Sequence, residues 1–291
     1  MGDLDNDTAV TPSGDPHGSG GERRFAGNLS DDWAIWGPNG GYVAAVALRA
    51  AGAATGRALP ASIVAHFLSV AGFDGVELTV AELRRSRLAT SSRVTLHQGD
   101  RPILEALVWG IDPGGPELAH EIPTMPDVPP PEQVPTFEER MALVDEPPTR
   151  PPFRFWDNLD QRPLQWRDTW PPAGPGEPEG RWWFRFRPTA TFDDPWADAC
   201  RLLVCVDTMG WPAAVQAHAH IDPLPVIAPT IDLSARFHRP ASSEEWLLCE
   251  AVSPVAAGGL VSASARVWST AGALLSSGGQ TLLCRNVPAP P

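Results

Sequence analysis

Lysine is absent from the sequence, and all 22 of its basic residues are arginine. Against 35 acidic residues, this leaves a formal net charge of −13. A strongly acidic chain lacks the basic face that non-specific binding to nucleic acid requires, so we expect no nucleic-acid partner. A polyanionic ligand would have to bind at a local cluster of arginines.

Long apolar runs and closely spaced cysteines are also lacking. No stretch approaches the roughly 20 apolar residues that a membrane span needs, and the polar N-terminus does not have the charged and then apolar pattern of a signal peptide. We therefore expect a cytoplasmic protein without a membrane span. The four cysteines have no CxxC spacing, which favours buried thiols over disulfides or a zinc site. No metal is expected.

Tryptophan, proline and glycine are abundant instead, with 12, 33 and 26 residues respectively. A hydrophobic content of 43% supports a proper core, while the proline and glycine predict long irregular segments. Residues 1–21 are small and polar with almost nothing to bury, which predicts a disordered tail. Residues 113–180 are rich in proline but contain several aromatic residues, so we predict a linker that packs across the surface of both halves of the chain.

The same succession of one helix and several strands occurs twice. In the first half, an alanine-rich helix fits Tyr42 to Ala54, and strands follow it. The strands predicted in the first half are Ser62–Val70, Val76–Leu83, Ser91–Gln98 and Ile103–Ile111. The elements predicted in the second half are a strand over Arg181–Arg187, a helix over Asp194–His220, and strands over Thr230–His238, Trp246–Ser253, Leu260–Ser269 and Leu274–Cys284.

The two halves correspond at a steady offset, which indicates an internal duplication. Phe67 matches Phe237 and Gly40 matches Gly210, since 237 − 67 = 170 and 210 − 40 = 170. A helix followed by an antiparallel meander is an α+β unit, and two such units should pair sheet edge to sheet edge as a covalent pseudo-dimer. The predicted domains are residues 22–112 and residues 181–291.

One residue breaks the apolar stripe of the second-half helix. Asp194 and Pro195 are typical of a helix start, and apolar side chains then recur at spacings of three and four. The next position on that face is Asp207, and burying an ionised carboxylate is costly unless partners hold it. The pattern predicts either a functional carboxylate or a polar kink, since Gly210 and Pro212 follow.

Several motifs resemble those of the type II (TesB-like) acyl-CoA thioesterases. The motifs that carry the resemblance are Gly40-Gly41, Leu83-Arg84-Arg85-Ser86-Arg87 leading to Gln98-Gly99-Asp100-Arg101-Pro102-Ile103, Asp207 five residues before Pro212, Thr230-Ile231-Asp232 leading to Phe237-His238-Arg239-Pro240, and Gln280. The match covers nearly the whole chain apart from the tail and the proline-rich middle. It implies an α+β double hotdog, in which two antiparallel sheets each wrap around a long central helix.

The resemblance also implies a cofactor-free hydrolysis of acyl-CoA thioesters to a carboxylic acid and CoA. Asp207, Thr230 and Gln280 occupy the positions that hold the attacking water in that family. A carboxylate can accept the proton of the water, while a hydroxyl and an amide fix the orientation of the water. The backbone N–H groups of Gly40 and Gly41, at a helix start, are the candidates for polarising the thioester carbonyl.

Several alternatives remain open at this point. Arg84 and Arg87 are candidates for binding substrate phosphates, but arginines on an acidic chain also fit a solvated face. A hotdog-fold enoyl-CoA hydratase would need an Asp with a nearby His, a motif that we do not find. A non-catalytic acyl-CoA or lipid-binding protein would have lost one of the three polar residues. Assembly into a homo-oligomer, a dimer, is expected, and the sequence does not specify the acyl chain.

Overall fold

The computed structural model describes residues 1–14, 21–116, 118–144, 153–167, 169 and 171–287. The helices within these residues are α1 (Leu4–Thr8), α2 (Gly40–Thr55), α3 (Phe137–Met141), α4 (Pro195–Thr208) and α5 (Gly210–Gln216). The strands are β1 (Thr11–Pro12), β2 (Glu22–Asn28), β3 (Leu59–Phe67), β4 (Gly75–Arg85), β5 (Ala89–Gln98), β6 (Arg101–Ile111), β7 (Leu159–Pro163), β8 (Glu179–Phe186), β9 (Val226–Ile227), β10 (Thr230–Phe237), β11 (Leu247–Ala257), β12 (Leu260–Trp268), β13 (Leu274–Leu283) and β14 (Arg285–Asn286). One antiparallel sheet has the order β1-β2-β4-β5-β6-β3-β10-β13-β12-β11-β8-β7, while β9 pairs with β14. None of the helices in this part of the chain has the length and hydropathy needed to cross a bilayer.

The helix of the first half is enclosed by the sheet because its side chains are small. Every residue from Gly41 to Leu48 is buried. The side chain of Asn39 accepts a hydrogen bond from the N–H of Tyr42 at the helix start, and Gly56 ends the helix in the left-handed conformation, with φ 65°. The predicted helix and the four strands that follow it are confirmed, with ends shifted by a few residues.

The long helix predicted over Asp194–His220 is interrupted. It begins as expected, with the side chain of Asp194 accepting a hydrogen bond from the N–H of Trp196. The first part, α4, ends at Thr208, and α5 follows as a separate short helix. Pro212 has no N–H to donate to the carbonyl of Thr208, so a continuous helix loses a hydrogen bond at this point. The prediction was right about the helix start and wrong about its length.

The two halves join into one sheet through β3 and β10. These strands are antiparallel neighbours, and Val64 of β3 lies opposite Ser234 of β10. The two residues are 170 apart in the chain (234 − 64 = 170), so each occupies the same place in its own half. Pairing of equivalent positions is the geometry of a two-fold axis, here within one chain. The predicted pseudo-dimer with paired sheet edges is confirmed.

The offset between the halves is not constant, which corrects one part of the repeat. Strands β3 and β10 start 171 residues apart (230 − 59 = 171), whereas α2 and α4 start 155 residues apart (195 − 40 = 155). The second half therefore has additional residues between its helix start and its next strand, and these form α5 and the segment 217–229. Gly40 thus corresponds to Pro195 and not to Gly210, because α2 packs against α4.

Residues 1–14 are ordered, in contrast to the disordered tail predicted for residues 1–21. Helix α1 buries Leu4, which is 1% exposed, in the main hydrophobic core. The N–H of Gly2 donates to Oδ1 of Asn158 at 2.7 Å. A single leucine in a polar stretch has no periodicity, so only tertiary contacts determine its burial. The remainder of that predicted tail, apart from its last residue, lies outside the described residues.

The proline-rich segment contacts both halves of the chain. Phe155 is fully buried and meets Trp33 of the first half edge-on, with ring centroids 5.9 Å apart. Trp156 stacks on Trp182 of the second half at 6.3 Å. The segment also contributes β7, which pairs with β8 and extends the sheet by one strand. Residues 117, 145–152, 168 and 170 lie outside the described residues.

Candidate active site

Asp207 lies in the last turn of α4, where that helix meets the start of α2. The residue is buried, with 5% of its surface exposed. Its carboxylate accepts hydrogen bonds from the N–H of Gly41 at 2.7 Å, Nδ2 of Asn39 at 3.3 Å and Oγ1 of Thr230 at 2.9 Å. The residue that breaks the apolar stripe of the helix therefore has the partners that a buried carboxylate requires.

Two glycines at the start of α2 make room for this carboxylate. A Cβ atom on Gly41 would lie 2.9 Å from both Cα of Val204 and Cβ of Asp207. A Cβ atom on Gly40 would lie 3.1 Å from Oδ2 of Asp207. The helices approach so closely that no side chain fits between them. The positive end of the α2 dipole consequently faces a negative charge.

Burial raises the pKa of Asp207 above its ordinary value, because the ionised carboxylate loses hydration. The hydrogen bonds from Gly41, Thr230 and Asn39 act in the opposite direction and stabilise the ionised form. A buried carboxylate with hydrogen-bond donors on both oxygens and a raised pKa is suited to accept a proton during a reaction.

Thr230 and Gln280 reach this carboxylate from neighbouring strands. Thr230 is the first residue of β10, and Gln280 lies in β13, which pairs with β10. The hydroxyl of Thr230 is 2.9 Å from Oδ1 of Asp207 and 3.2 Å from Oε1 of Gln280, so its single proton can be donated to either acceptor. Nε2 of Gln280 donates to the backbone carbonyl of Asp207 at 2.7 Å, which orients the amide with Oε1 towards Thr230.

The Gln280 amide also requires the glycine at the start of α5. A Cβ atom on Gly210 would lie 1.7 Å from Nε2 of Gln280 and 2.9 Å from Cβ of Ala263. The break after α4 therefore places a residue without a side chain against the amide. The kink, one of the two alternatives left by the sequence, is present. The other alternative, a functional carboxylate at Asp207, stays a prediction.

Arg84 and Arg87 are not part of this cluster. Both are exposed, at the end of β4 and in the turn that follows. The neighbouring Arg85 donates to the carbonyl of Thr55, the last residue of α2, at 3.2 Å. Asp207 contacts the opposite end of α2, and a helix of 16 residues is about 24 Å long. The role of these two arginines in phosphate binding stays a prediction.

At the start of α2, one predicted site residue has a different role from the expected one, and one residue of the cluster was not predicted from the sequence. The N–H of Gly41 donates to Asp207 and is therefore not available to polarise a thioester carbonyl, which leaves the N–H of Gly40 as the candidate. Asn39 was missed: its Oδ1 accepts from the N–H of Tyr42 while its Nδ2 donates to Asp207. The available signal was an asparagine directly before a predicted helix, the usual position of a helix cap.

Aromatic side chains border the polar cluster. The ring of Phe67 comes within 3.3 Å of the position of a Cβ atom on Gly40. Trp36, which is 45% exposed, meets Trp211 of α5 and Phe153 edge-on, with ring centroids 6.5 and 6.1 Å apart. Apolar walls with a few converging polar groups are typical of small-molecule sites. Among the described residues, no group of three or more His, Cys, Asp or Glu side chains is placed to hold a metal ion.

One sheet wraps the helices of two fused halves, and a partnered carboxylate lies where those helices meet. This arrangement defines a double hotdog protein. A family model described as the acyl-CoA thioesterase N-terminal domain matches residues 29–111, and a model described as the acyl-CoA thioesterase C-terminal domain matches residues 121–284. The chain therefore belongs to the acyl-CoA thioesterase family. Its reaction is the hydrolysis of acyl-CoA thioesters.

Solved structures with the same fold align along nearly the whole chain. A hot dog fold protein of unknown function from Alicyclobacillus acidocaldarius is 22% identical, with a TM-score of 0.77 over 98% of both chains. The acyl-CoA thioesterase II TesB2 from Mycobacterium marinum is 20% identical, with a TM-score of 0.76 over 98% of this chain and 99% of that chain. The tesB protein of Mycobacterium avium subs paratuberculosis is 21% identical, with a TM-score of 0.74 over 97% of this chain and 98% of that chain. No curated protein matches the chain.

Proposed function

We propose that Asp207, Thr230 and Gln280 hold and activate the water that hydrolyses the thioester. One observation carries the proposal: a buried carboxylate with a raised pKa lies within hydrogen-bond distance of a hydroxyl that also reaches an amide oxygen. Water needs both acceptors and donors to be held in one orientation, and this trio supplies them.

In the proposed reaction, the oxygen of the water attacks the carbonyl carbon of the thioester while Asp207 accepts the proton that the water loses. A raised pKa makes Asp207 a stronger base than an exposed carboxylate. Oε1 of Gln280 accepts the other hydrogen of the water. The C–S bond then breaks, and the departing CoA thiolate takes up the proton held by Asp207. A covalent enzyme intermediate is not required, which agrees with the absence of a G-x-S-x-G motif from the sequence.

The N–H of Gly40 is the proposed donor to the carbonyl oxygen, where negative charge develops. It lies in the first turn of α2, whose N–H groups have no partner within the helix. Loss of one such donor typically slows an acyl-transfer enzyme by about 10²–10³-fold. The proximity of Gly40 to Asp207 places this donor next to the proposed base.

The hydratase alternative is not supported by these contacts. The groups that donate to Asp207 are Gly41, Asn39 and Thr230, and no histidine in the described part of the chain makes a hydrogen bond to it. A panel of acyl-CoA thioesters of different chain length and branching, scored by release of free CoA thiol, tests the activity and identifies the preferred acyl group. Absence of thiol release from every member of the panel would argue for the non-catalytic binding protein.

We also infer that the chain assembles as a homodimer through the outer face of the sheet. Val64 and Leu107 are opposite each other on β3 and β6, and with Trp109 they expose an apolar patch, at 46%, 49% and 39% respectively. Exposed apolar neighbours of this kind are typical of association surfaces. Light scattering at micromolar concentration, with Leu107→Glu as the disrupting variant, tests the assembly, and a monomeric wild type would contradict it.

We also propose that the protein is located in the cytoplasm. Cys200, Cys205 and Cys249 are buried and free, which suits a reducing compartment. Fractionation of cells that produce the protein, with detection in the soluble cytoplasmic fraction, tests this expectation.

A further inference from the structure

The pseudo-two-fold axis gives the Asp207 cluster a counterpart at the opposite end of the β3–β10 seam. The end of the seam with Asp207 and Thr230 is named the catalytic end. The end with Pro60, Pro195 and Phe237 is named the silent end. A dimer with two identical halves would have equivalent sites at both ends.

The contacts between α2 and α4 demonstrate this relation. At the catalytic end, Gly41 of α2 lies against Asp207 of α4, and at the silent end, Gly52 of α2 lies against Trp196 of α4. The helix offset relates the two contacts, since 196 − 41 = 155 and 207 − 52 = 155. Rotation about the pseudo-two-fold axis therefore relates one contact to the other.

The three polar residues of the catalytic end have no polar counterpart at the silent end. By helix offset and strand register, the counterparts are Gly52 for Asp207, Pro60 for Thr230 and Val108 for Gln280. The last match follows from the strand pairs, because Val108 is opposite Ile63 just as Gln280 is opposite Leu233. The silent end cannot hold and activate a water in the same way.

Trp196 occupies the place that Gly41 has at the catalytic end. A Cβ atom on Gly52 would lie 2.5 Å from Cδ2 of Trp196, and a Cβ atom on Gly110 would lie 3.1 Å from the far side of the same ring. Nε1 of Trp196 donates to the carbonyl of Arg57 at 2.8 Å, which holds the indole in place. The indole therefore fills the region between the helices at this end.

A cavity of about 70 Å³ nevertheless remains at the silent end, several times the roughly 10–15 Å³ that one water occupies. Its apolar walls are Leu59, Pro60, Ile111, Ala199, Leu202 and Phe237. Phe237 is the counterpart of Phe67, which borders the catalytic cluster (237 − 67 = 170). The cavity therefore has an aromatic wall at the place that corresponds to Phe67.

Each charged group of this cavity is paired with a group of opposite charge. Asp198 lines it, but this carboxylate is held by the fully buried guanidinium of Arg201 and by the N–H of Ala241. Arg239 also lines the cavity, and its Nη1 and Nη2 donate to the carbonyl of Leu274 and to Glu121. Three N–H groups of Arg239 remain, one at Nε and one on each Nη, and none has an acceptor among the described residues, so the guanidinium can still bind an anion.

We propose that the cavity at the silent end is a second, non-catalytic binding site for a short-chain carboxylic acid. The apolar walls accept the hydrocarbon chain, and the Arg239 guanidinium pairs with the carboxylate. The identification of this acid as a product of the enzyme rests on the proposed function, whereas the site itself rests on the cavity and on the pseudo-symmetry. A carboxylate of a few carbons matches the limited volume better than an intact acyl-CoA does.

The experiment measures binding of sodium butyrate to the full chain by saturation-transfer NMR and calorimetry. Asp207→Asn serves as the parent protein, so that turnover does not interfere. Ala199→Leu fills the cavity, Arg239→Gln removes the guanidinium, and Arg93→Gln on the exposed face of β5 is the matched control. We expect each cavity variant to weaken butyrate binding by about tenfold or more, because a charge-assisted hydrogen bond or the binding volume is lost, while Arg93→Gln binds as the parent does.

Each outcome supports or overturns the proposal. Unchanged butyrate binding in Arg239→Gln and in a folded Ala199→Leu would place the acid elsewhere, and an absence of binding at about 50 mM, a standard free energy near −2 kcal/mol, would exclude the site. If Ala199→Leu does not fold, butyrate binding by Arg239→Gln, a change at an exposed residue, decides between these outcomes. An active Asp207→Asn enzyme would contradict the proposed water activation without altering the binding result, so the two proposals fail separately.

Discussion

Replacement of Asp207 by asparagine separates catalysis from folding at the proposed site. The amide oxygen of Asn can accept from Gly41 and Asn39 in place of Oδ2, and its NH₂ group can donate to Thr230. The hydroxyl of Thr230 then donates to Gln280, so every hydrogen bond of the cluster is retained. The amide cannot accept the proton of the water at neutral pH. We expect thiol release to fall by about 10²–10⁴-fold, or ~2.7–5.4 kcal/mol in activation free energy.

The stability of this variant should have its own pH dependence. The pKa of Asp207 is raised in the folded protein, so the folded state binds this proton more tightly than the unfolded state does. The free energy of unfolding of the wild type is therefore reduced as pH rises from the ordinary pKa of 3.8 through the raised folded pKa. Asp207→Asn does not lose stability in this pH range, because the amide does not titrate. We expect the variant to be at least as stable as the wild type at pH 7, and its advantage to shrink towards pH 4.

Thermal melting and thiol release should be measured on one preparation of each protein. Asp100→Asn, in the exposed turn between β5 and β6, is the matched control and should keep both properties. Near-normal turnover in a folded Asp207→Asn protein would refute the assignment of the base. A loss of activity that only follows a lowered melting temperature would mean that Asp207 has a structural role instead.

Four further changes test other parts of the structure. Thr230→Val keeps the shape but removes a hydroxyl that donates to a carboxylate, and such bonds are worth ~1.5–3 kcal/mol. We therefore expect a lower melting temperature and, in the folded variant, turnover that is reduced about 10–100-fold; equal turnover would argue against the role. Gly41→Ala places a methyl 2.9 Å from two atoms of α4, so denaturant unfolding should show a loss of about 1–3 kcal/mol together with lower turnover. Arg201→Met leaves the buried Asp198 without its partner and should cost about 3–5 kcal/mol in the same assay, whereas an unchanged midpoint would contradict the assigned ion pair. A first-half fragment that ends near Pro116 exposes the edge of β3, so gel filtration should find aggregates or self-association, and not a soluble monomer.

The sequence by itself determined the principal helix and strands of each half and the duplication, and it led to the polar trio as a prediction. The strands that follow each main helix, strand β8 and the starts of both helices follow from local patterns of side chains, which is why their prediction was accurate, whereas β2 (Glu22–Asn28) was not predicted. Asp207 could be singled out because a carboxylate on an apolar helix face violates the local pattern. Thr230 and Gln280, which are ordinary residues for strands, could be selected only through the family resemblance.

Only the tertiary structure decided which distant residues meet. The hydrogen bond between Gly41 and Asp207 joins residues 166 apart in the chain, so no local pattern contains it. The same is true of the burial of Leu4 and of the contact between Gly52 and Trp196, which distinguishes the two ends of the β3–β10 seam. The offset of 170 residues, which relates the strands of the two halves, gave the wrong correspondence for the helices. A match of residue types does not establish which helices pack together, because packing depends on how two surfaces fit.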